Sequence, residues 1–237
     1  MKKIVLFLAA VLILAACGPQ APKEPPVNTL TEAEIADGWT LLFNGKDLNN
    51  WKIYNGGEVT GWKIEDGVLS NSGVGSDHGG DIITKDVFES FELYLEWKVD
   101  TASNSGIFFN VIENVAPALY QSGPEYQLID DHNWPGTLDP AQMSGANYDM
   151  HAPVGAEVMS LEEWNVSRLV VNGPHVEHWL NGAKVVEYEL WSDDWFQRKE
   201  NSKWKDETFY GSATAGHIGL QDHGGLTMFR NIKIRKL

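Results

Sequence analysis

Between Phe91 and Val99 the chain alternates: Phe91, Leu93, Leu95, Trp97 and Val99 fall on one side, Glu92, Tyr94, Glu96 and Lys98 on the other. A period of two held over this length predicts an antiparallel strand with one face in a core and the other toward water. Shorter runs of the same kind predict strands at Val166–Val171, Val176–Leu180 and Lys184–Tyr188, joined at Asn172-Gly173 and Asn181-Gly182. Asn-Gly tolerates the positive φ that a tight hairpin needs, so these three segments read as a meander. Trp62–Ile64 and Val68–Leu69 flank Glu65-Asp66-Gly67 as a further hairpin, Ile218 and Leu220 alternate with Gly219 and Gln221, and Met228–Ile234 reads as a closing strand. Helical windows are few. Thr31-Glu32-Ala33-Glu34 has the form of a capped single turn, and Asp193–Tyr210, polar around Trp195, Phe196 and Trp204, reads as a helical or irregular excursion. Short strands, Gly/Asn turns and no internal repeat predict an all-β domain of two packed antiparallel sheets.

The first residues follow another pattern. Met1-Lys2-Lys3 is a positive start, and Ile4–Ala16 is an apolar run too short to span a bilayer as a mature helix. Leu14-Ala15-Ala16-Cys17 closes it and resembles a bacterial lipobox, which predicts a lipoprotein signal peptide over 1–16 and Cys17 as the lipidation site. An ordinary cleaved signal or a buried N-terminal helix would be the plainer alternatives. Gly18–Pro26 holds four prolines, so 17–37 reads as lipid anchor and tether, with the folded domain at 38–237. On this reading the protein sits in the cell envelope and meets the membrane only through its lipid. Cys17 is the single cysteine, which excludes a disulfide framework and a thiolate zinc site from the domain. With 33 acidic against 18 basic residues, a nucleic-acid partner is excluded as well.

Candidate chemistry lies opposite the apolar faces. In Gly123–His132, alternation sends Tyr126 and Leu128 to the core and leaves Glu125 and Gln127 on the other side, with Asp130, Asp131 and His132 at the strand end. A carboxylate beside an amide and an imidazole suits polyol recognition or proton transfer, although a solvated strand face would look the same. Gln221 and His223 project together from a glycine-rich strand that a ligand could approach closely. Asn104 and Ser105 precede the apolar Ile107-Phe108-Phe109, and His178, between Val176 and Leu180, is either a satisfied core imidazole or a site residue. Ser76–Asp81 could hold a divalent cation or cap a turn. Ten Trp and seven Tyr exceed the needs of one core, so some, with Tyr148 a candidate, would stack on flat sugar faces. HExxH, GxSxG, P-loop and EF-hand spacings are absent. No strand carries an E-x-D-x-x-E pairing, which argues against a conventional two-carboxylate glycosidase.

The motifs GWTLLFNGKDLNNW (38–51), WKIEDGVL (62–69), ESFELYLEW (89–97), NSGIFFN (104–110), GPEYQLIDD (123–131), EEWN (162–165), HWLNG (178–182), GHIGLQDHG (216–224) and FRNIKIR (229–235) resemble, in order, the 3-keto-disaccharide hydrolase family. The resemblance spans the domain and implies a concanavalin A-like jelly-roll sandwich. It also implies cleavage of 3-keto-glucosides or 3-keto-disaccharides. A ketone at C3 acidifies the C2 proton, a base removes it, the C1 leaving group is eliminated, and water adds back to give net hydrolysis. Such a site needs a tuned base and donors or a cation for the enolate oxygen. Carried onto this chain, Glu125 or a nearby His would be the base, and His132, His178 or His223 would polarise the ketone or ligate a metal. Asn104, Ser105, Gln127, Asp130, Asp131, Tyr148 and Gln221 would hold the substrate. No cofactor is certain, and a divalent cation could serve. This chain has Asn110 where some members carry Arg. The alternative on the same fold is a non-catalytic, lectin-like carbohydrate-binding lipoprotein.

Overall fold

The computed structural model describes residues 25–71, 80–155 and 157–237. Cys17, the 1–16 segment and Ser76–Gly79 lie outside the described residues. Among the described residues there are thirteen strands: β1 (Thr40–Leu41), β2 (Trp51–Ile53), β3 (Trp62–Glu65), β4 (Val68–Asn71), β5 (Ile82–Thr84), β6 (Phe91–Val99), β7 (Asn104–Val111), β8 (Glu125–Ile129), β9 (Asn165–Asn172), β10 (His175–Leu180), β11 (Ala183–Glu189), β12 (His217–Leu220) and β13 (Thr227–Lys236). A large sheet runs β11-β10-β9-β6-β13-β4-β3, with β1 also on β13, and a small sheet runs β2-β5-β12-β7-β8. All pairings are antiparallel, as the hairpin signals require. The fold is therefore the all-β sandwich expected from the jelly-roll resemblance.

In the large sheet the apolar side of β6 is buried throughout, and its residues join Phe229, Leu169 and Val171 in the core between the sheets. Its other side is less wet than alternation implies. Glu92 is buried because two guanidinium groups, Arg168 and Arg235, close over its carboxylate. Glu96 similarly pairs with Arg230.

The small sheet departs further from a half-exposed pattern. Its inner face sends Ile107, Phe109, Tyr126, Leu128, Ile218 and Leu220 into the main core. Its outer face is covered too. Phe108, Ile83, Val111 and Tyr54 pack there under Leu119, from the 3-10 turn Leu119–Gln121. The remaining cover comes from the excursion between β11 and β12, where α2 (Asp193–Glu200) is capped by Ser192, whose hydroxyl accepts the Trp195 N–H at 3.1 Å. Asp193 and Asp194 begin this helix and Arg198 and Lys199 end it, matching its dipole. The short helix α1 (Glu32–Ala36) carries the capping box read from Thr31 and Glu34, and Lys233 of β13 pairs with that glutamate.

Stacked rings hold the excursion in place. His151 lies 4.6 Å from Tyr188 of β11, Tyr188 is 5.6 Å from Trp195 of α2, Trp195 is 5.8 Å from Tyr210, and Tyr210 is 4.5 Å from Trp204, all within 16° of parallel. Gly211 makes the column fit: it has φ +64°, and a Cβ there would come 2.5 Å from the Trp195 ring. The indole N–H groups tie the ends, Trp191 to the Gly211 carbonyl at 2.7 Å and Trp204 to the Tyr148 carbonyl at 3.0 Å.

Trp195→Ala removes the middle of this column and should destabilise the protein by about 3–5 kcal/mol. That corresponds to a fall in Tm of roughly 10 °C for a chain of this size, measurable by thermal unfolding.

Candidate active site

The register of the small sheet builds the floor of a cavity. Phe108 pairs with Glu125, Gly106 with Gln127 and Asn104 with Ile129, while Gln221 N–H donates to the Gly106 carbonyl at 3.1 Å on the other flank. Alternation puts Asn104, Gly106 and Phe108 on one side of β7, the outer one. At the centre of this patch Gly106 has no side chain. A Cβ there would lie 2.6 Å from Glu125 Oε1 and 3.0 Å from its Cγ, so the glycine leaves the space that the carboxyl occupies.

Above this floor is a cavity of about 520 Å³. Asn104, Glu125, Gln221 and His223 come to it from the small sheet and its loops. Tyr120, Tyr148, Lys203, Trp204 and Glu207 form the rest of the wall. Tyr148 is locked to the floor because its N–H donates to the Glu125 carbonyl at 3.1 Å. Glu207 is held by Gln121, whose Nε2 reaches both carboxylate oxygens at 3.2 Å. Lys203 lies over two ring faces, its Nζ 3.9 Å from the centre of Tyr148 and 4.2 Å from that of Trp204.

The electrostatics centre on Glu125. It is 5% exposed, and no protein donor hydrogen-bonds its carboxyl among the described residues. Burial pushes its pKa up to about 8, with the Lys203 cation acting against that rise and Asp81 adding to it. With that pKa the carboxyl is protonated at neutral pH and ionises as the pH rises through about 8. Among the described residues Asn104 Oδ1 and Gln221 Oε1 are buried without partners, which leaves two amides able to receive the hydroxyls of a ligand.

A profile of the 3-keto-alpha-glucoside-1,2-lyase-like domain matches residues 38–235. A curated 3-keto-disaccharide hydrolase from Bacteroides thetaiotaomicron is 32% identical over 243 aligned residues, covering 91% of this chain and 84% of that protein. The chain belongs to the 3-keto-alpha-glucoside-1,2-lyase-like family. Among solved structures, a candidate glycosyl hydrolase from Parabacteroides distasonis superposes with a TM-score of 0.84 at 41% identity, covering 89% of this chain and 99% of that one. A second crystal structure from the same organism, also named as a candidate glycosyl hydrolase, superposes at 0.64 with 32% identity over 84% of this chain and 99% of that one.

Within this 3-keto-alpha-glucoside-1,2-lyase-like domain, the structure brings together Glu125, Asn104, Tyr148, Gln221 and His223 from the residues singled out in the sequence. The others lie outside the cavity lining. His178 is fully buried, stacked on Tyr126 at 4.8 Å, with Nδ1 2.9 Å from the Gly145 carbonyl. Burial pushes its pKa down to about 3, so it is a neutral core imidazole. Asp130 accepts backbone N–H groups from Ala102, His132 and Asn133, which outweigh the effect of burial and hold its pKa below the usual carboxylate range. Asp131 accepts the Ser144 N–H at 2.9 Å, and burial raises its pKa. Both, with His132, border a separate small crevice beside Val158 and Leu161. Ser105 donates to the Gln221 carbonyl at 2.8 Å and so braces the floor from within the sheet. Gln127 is fully buried, its Oε1 accepting the Leu128 N–H and its Nε2 unpartnered. Asn110, with φ +53°, donates to the Ala213 carbonyl at 3.0 Å near the irregular join of β7 and β12.

Lys203, Trp204, Glu207 and Tyr120 were not legible as site residues. Their one signal is a pair of aromatics beside charges in segments that follow neither strand nor helix periodicity. Among the described residues, the only group with metal-ligand spacing is His175, Glu177 and Glu187. It lies on β10 and β11 outside the cavity lining, and Lys184 already pairs with both glutamates.

Glu125 also makes a stability prediction. Because its folded pKa of about 8 lies above the unfolded value of 4.5, its contribution is full below about pH 4.5 and is lost as pH rises through 8. Glu125→Gln should therefore unfold at a higher temperature than the parent at pH 9, with the difference vanishing near pH 4.5; thermal melts across this range measure it.

Proposed function

We propose that this protein cleaves the glycosidic bond of 3-keto-glucosides or 3-keto-disaccharides, with Glu125 as the base at C2. The observation that carries this reading is a single buried carboxyl, poised near pH 8, on the floor of a cavity walled by amides and aromatic rings. Family membership and the name of the Bacteroides relative support the substrate class, and glycoside cleavage is their common ground.

In the proposed reaction the Glu125 carboxylate takes the C2 proton, the C2–H electrons form C2=C3, and the C3 oxygen becomes an enolate. The enolate returns to a ketone as C1=C2 forms and the C1–O bond breaks, and the departing oxygen takes the proton that Glu125 collected. Water then adds its oxygen at C1 and gives one proton, through Glu125, to C2, giving net hydrolysis. One base placed against C2 is enough for the first half, because the ketone has already acidified that proton. Asn104 and Gln221 would grip hydroxyls, within a wall that Tyr120, Tyr148 and Trp204 help to form.

Glu207 gives the cavity a second carboxylate, so the unoxidised sugar separates ketone-dependent elimination from ordinary acid/nucleophile hydrolysis. The purified protein should release the leaving group from 3-keto-trehalose or a 3-keto-aryl glucoside and leave the parent glucosides intact. Turnover should rise with pH toward 8 as Glu125 ionises, and Glu125→Gln should lower kcat by at least about 10³-fold. Binding of these sugars without cleavage at any pH would favour the lectin-like alternative.

We also propose that the chain is anchored in the cell envelope through lipid on Cys17, on the strength of Leu14-Ala15-Ala16-Cys17. Cys17→Ala should shift the protein from the membrane fraction to the soluble one and abolish incorporation of labelled palmitate; membrane retention in the variant would refute the anchor.

A further inference from the structure

We propose that Lys203 is a catalytic residue: its ammonium binds the C3 oxygen of the keto sugar and stabilises the enolate that forms when Glu125 removes the C2 proton. This rests on the function proposed above and assigns the charge that reaction needs opposite its base. The geometry is specific. Lys203 lines the same cavity as Glu125, and its Nζ sits over the faces of Tyr148 and Trp204 at 3.9 and 4.2 Å. Ring faces stabilise a cation without accepting its protons in ordinary hydrogen bonds. Among the described residues no oxygen hydrogen-bonds or ion-pairs with Nζ, so its N–H donors remain available to a ligand oxygen.

The position is also held firmly. Lys203 N–H donates to Asp149 Oδ2 at 2.7 Å, Trp204 is the end of the stacked column, and its indole N–H is fixed to the Tyr148 carbonyl. An oxyanion donor needs this kind of preorganisation, because a cation that must reorganise during the reaction loses most of its advantage. Burial lowers the pKa of Lys203 and the charges of Glu125 and Asp149 act against that fall, consistent with a cation only partly shielded from water. C2 and the C3 oxygen lie on neighbouring atoms of one ring. A base on the floor and a cation on the wall of one sugar-sized cavity can therefore address both in a single pose.

The balance of the step is simple. The proton moves from C2 to Glu125, the C2–H electron pair ends as negative charge on the C3 oxygen, and Lys203 keeps its proton while stabilising that charge. Elimination then follows as above, with no oxidant, reductant or metal required by this assignment.

The test compares wild type, Lys203→Met and Lys203→Arg on a 3-keto-aryl glucoside. It reads leaving-group release together with exchange of the C2 proton in D₂O by NMR. Lys203→Met should slow both by about 10²–10³-fold in kcat, with KM changed only a few-fold. Lys203→Arg should recover part of the loss by restoring a cation, and thermal melts should show both variants folded. If Lys203→Met is unfolded, Lys203→Gln, which keeps a polar stem without charge, takes its place: kcat and exchange lowered at near-parental KM and partly recovered in Lys203→Arg uphold the assignment, and parental exchange removes it. Retention of exchange within threefold in a folded Lys203→Met overturns the proposal, as does a covalent sugar adduct on Lys203 trapped by borohydride, which would make the lysine an imine-forming nucleophile. A wild type that neither exchanges C2 nor cleaves the keto sugar overturns the proposed function itself. Wild-type activity that survives in Lys203→Met overturns only the role of Lys203.

Discussion

The column of stacked rings from His151 through Tyr188, Trp195 and Tyr210 to Trp204 is the constraint on which the site depends. The sandwich alone would present the outer face of the small sheet to solvent, and Glu125 would then be an ordinary exposed carboxylate. The column presses the segment after β11 onto that face. Each ring contributes the burial of a large apolar surface, plus about 0.5–1.5 kcal/mol per well-oriented pair. That sum sets against a real cost: the buried Glu125 carboxyl, desolvated and without a hydrogen-bond donor among the described residues. Aromatic packing supplies stability at one end of the excursion so that polar groups can be held under strain at the other.

The division of labour follows from this. The small sheet supplies a rigid floor, with Gly106 leaving room for the Glu125 carboxyl and Ser105 bracing the neighbouring strand. The excursion supplies the wall and the cation. Glu125 and Lys203 line one cavity yet form no ion pair within 4.0 Å. Direct pairing would lower the carboxyl's pKa and occupy both groups with each other. Kept apart, each retains bonding capacity for a ligand, and their interaction only moderates the rise that burial imposes on Glu125.

Much of this was readable in the chain because its causes are local. Period two in Phe91–Val99 and the Asn-Gly turns at 172–173 and 181–182 identify strands and hairpins without any tertiary information. The same alternation put Glu125 opposite Tyr126 and Gln221 on a face that a ligand could reach, while Asn104 stood out only by its place before Ile107-Phe108-Phe109. What covers that outer face was not readable, since cover comes from residues about eighty positions away whose own segment lacks a repeating pattern. That is why Lys203 and Trp204 escaped notice although Trp195 and Trp204 marked the excursion as unusual. His178 shows the converse. Its residue type suggested chemistry, and only the Tyr126 stack and the Gly145 carbonyl reveal a side chain fully satisfied inside the core. Asp130 likewise spends its carboxylate on two backbone N–H groups of its own turn, from His132 and Asn133, and on that of Ala102.

A sugar-binding module and a sugar-cleaving enzyme can share this sandwich, so the energetics of the cavity must discriminate between them. Recognition of hydroxyls needs amides and rings, which Asn104, Gln221, Tyr148 and Trp204 provide at modest desolvation cost. It does not need a carboxyl whose ionisation is opposed by burial, an energetic cost on the order of a few kcal/mol once the pH exceeds its pKa. Nor does it need an ammonium held over two rings with its hydrogen-bond donors unspent. A binding site could replace Glu125 with a neutral group and become more stable. Proton removal next to a carbonyl, in contrast, needs a base that can gain and lose a proton near neutrality and a fixed positive charge one atom away. The cost built into Glu125, with a cation across the same cavity, is therefore the feature that binding alone leaves without a purpose.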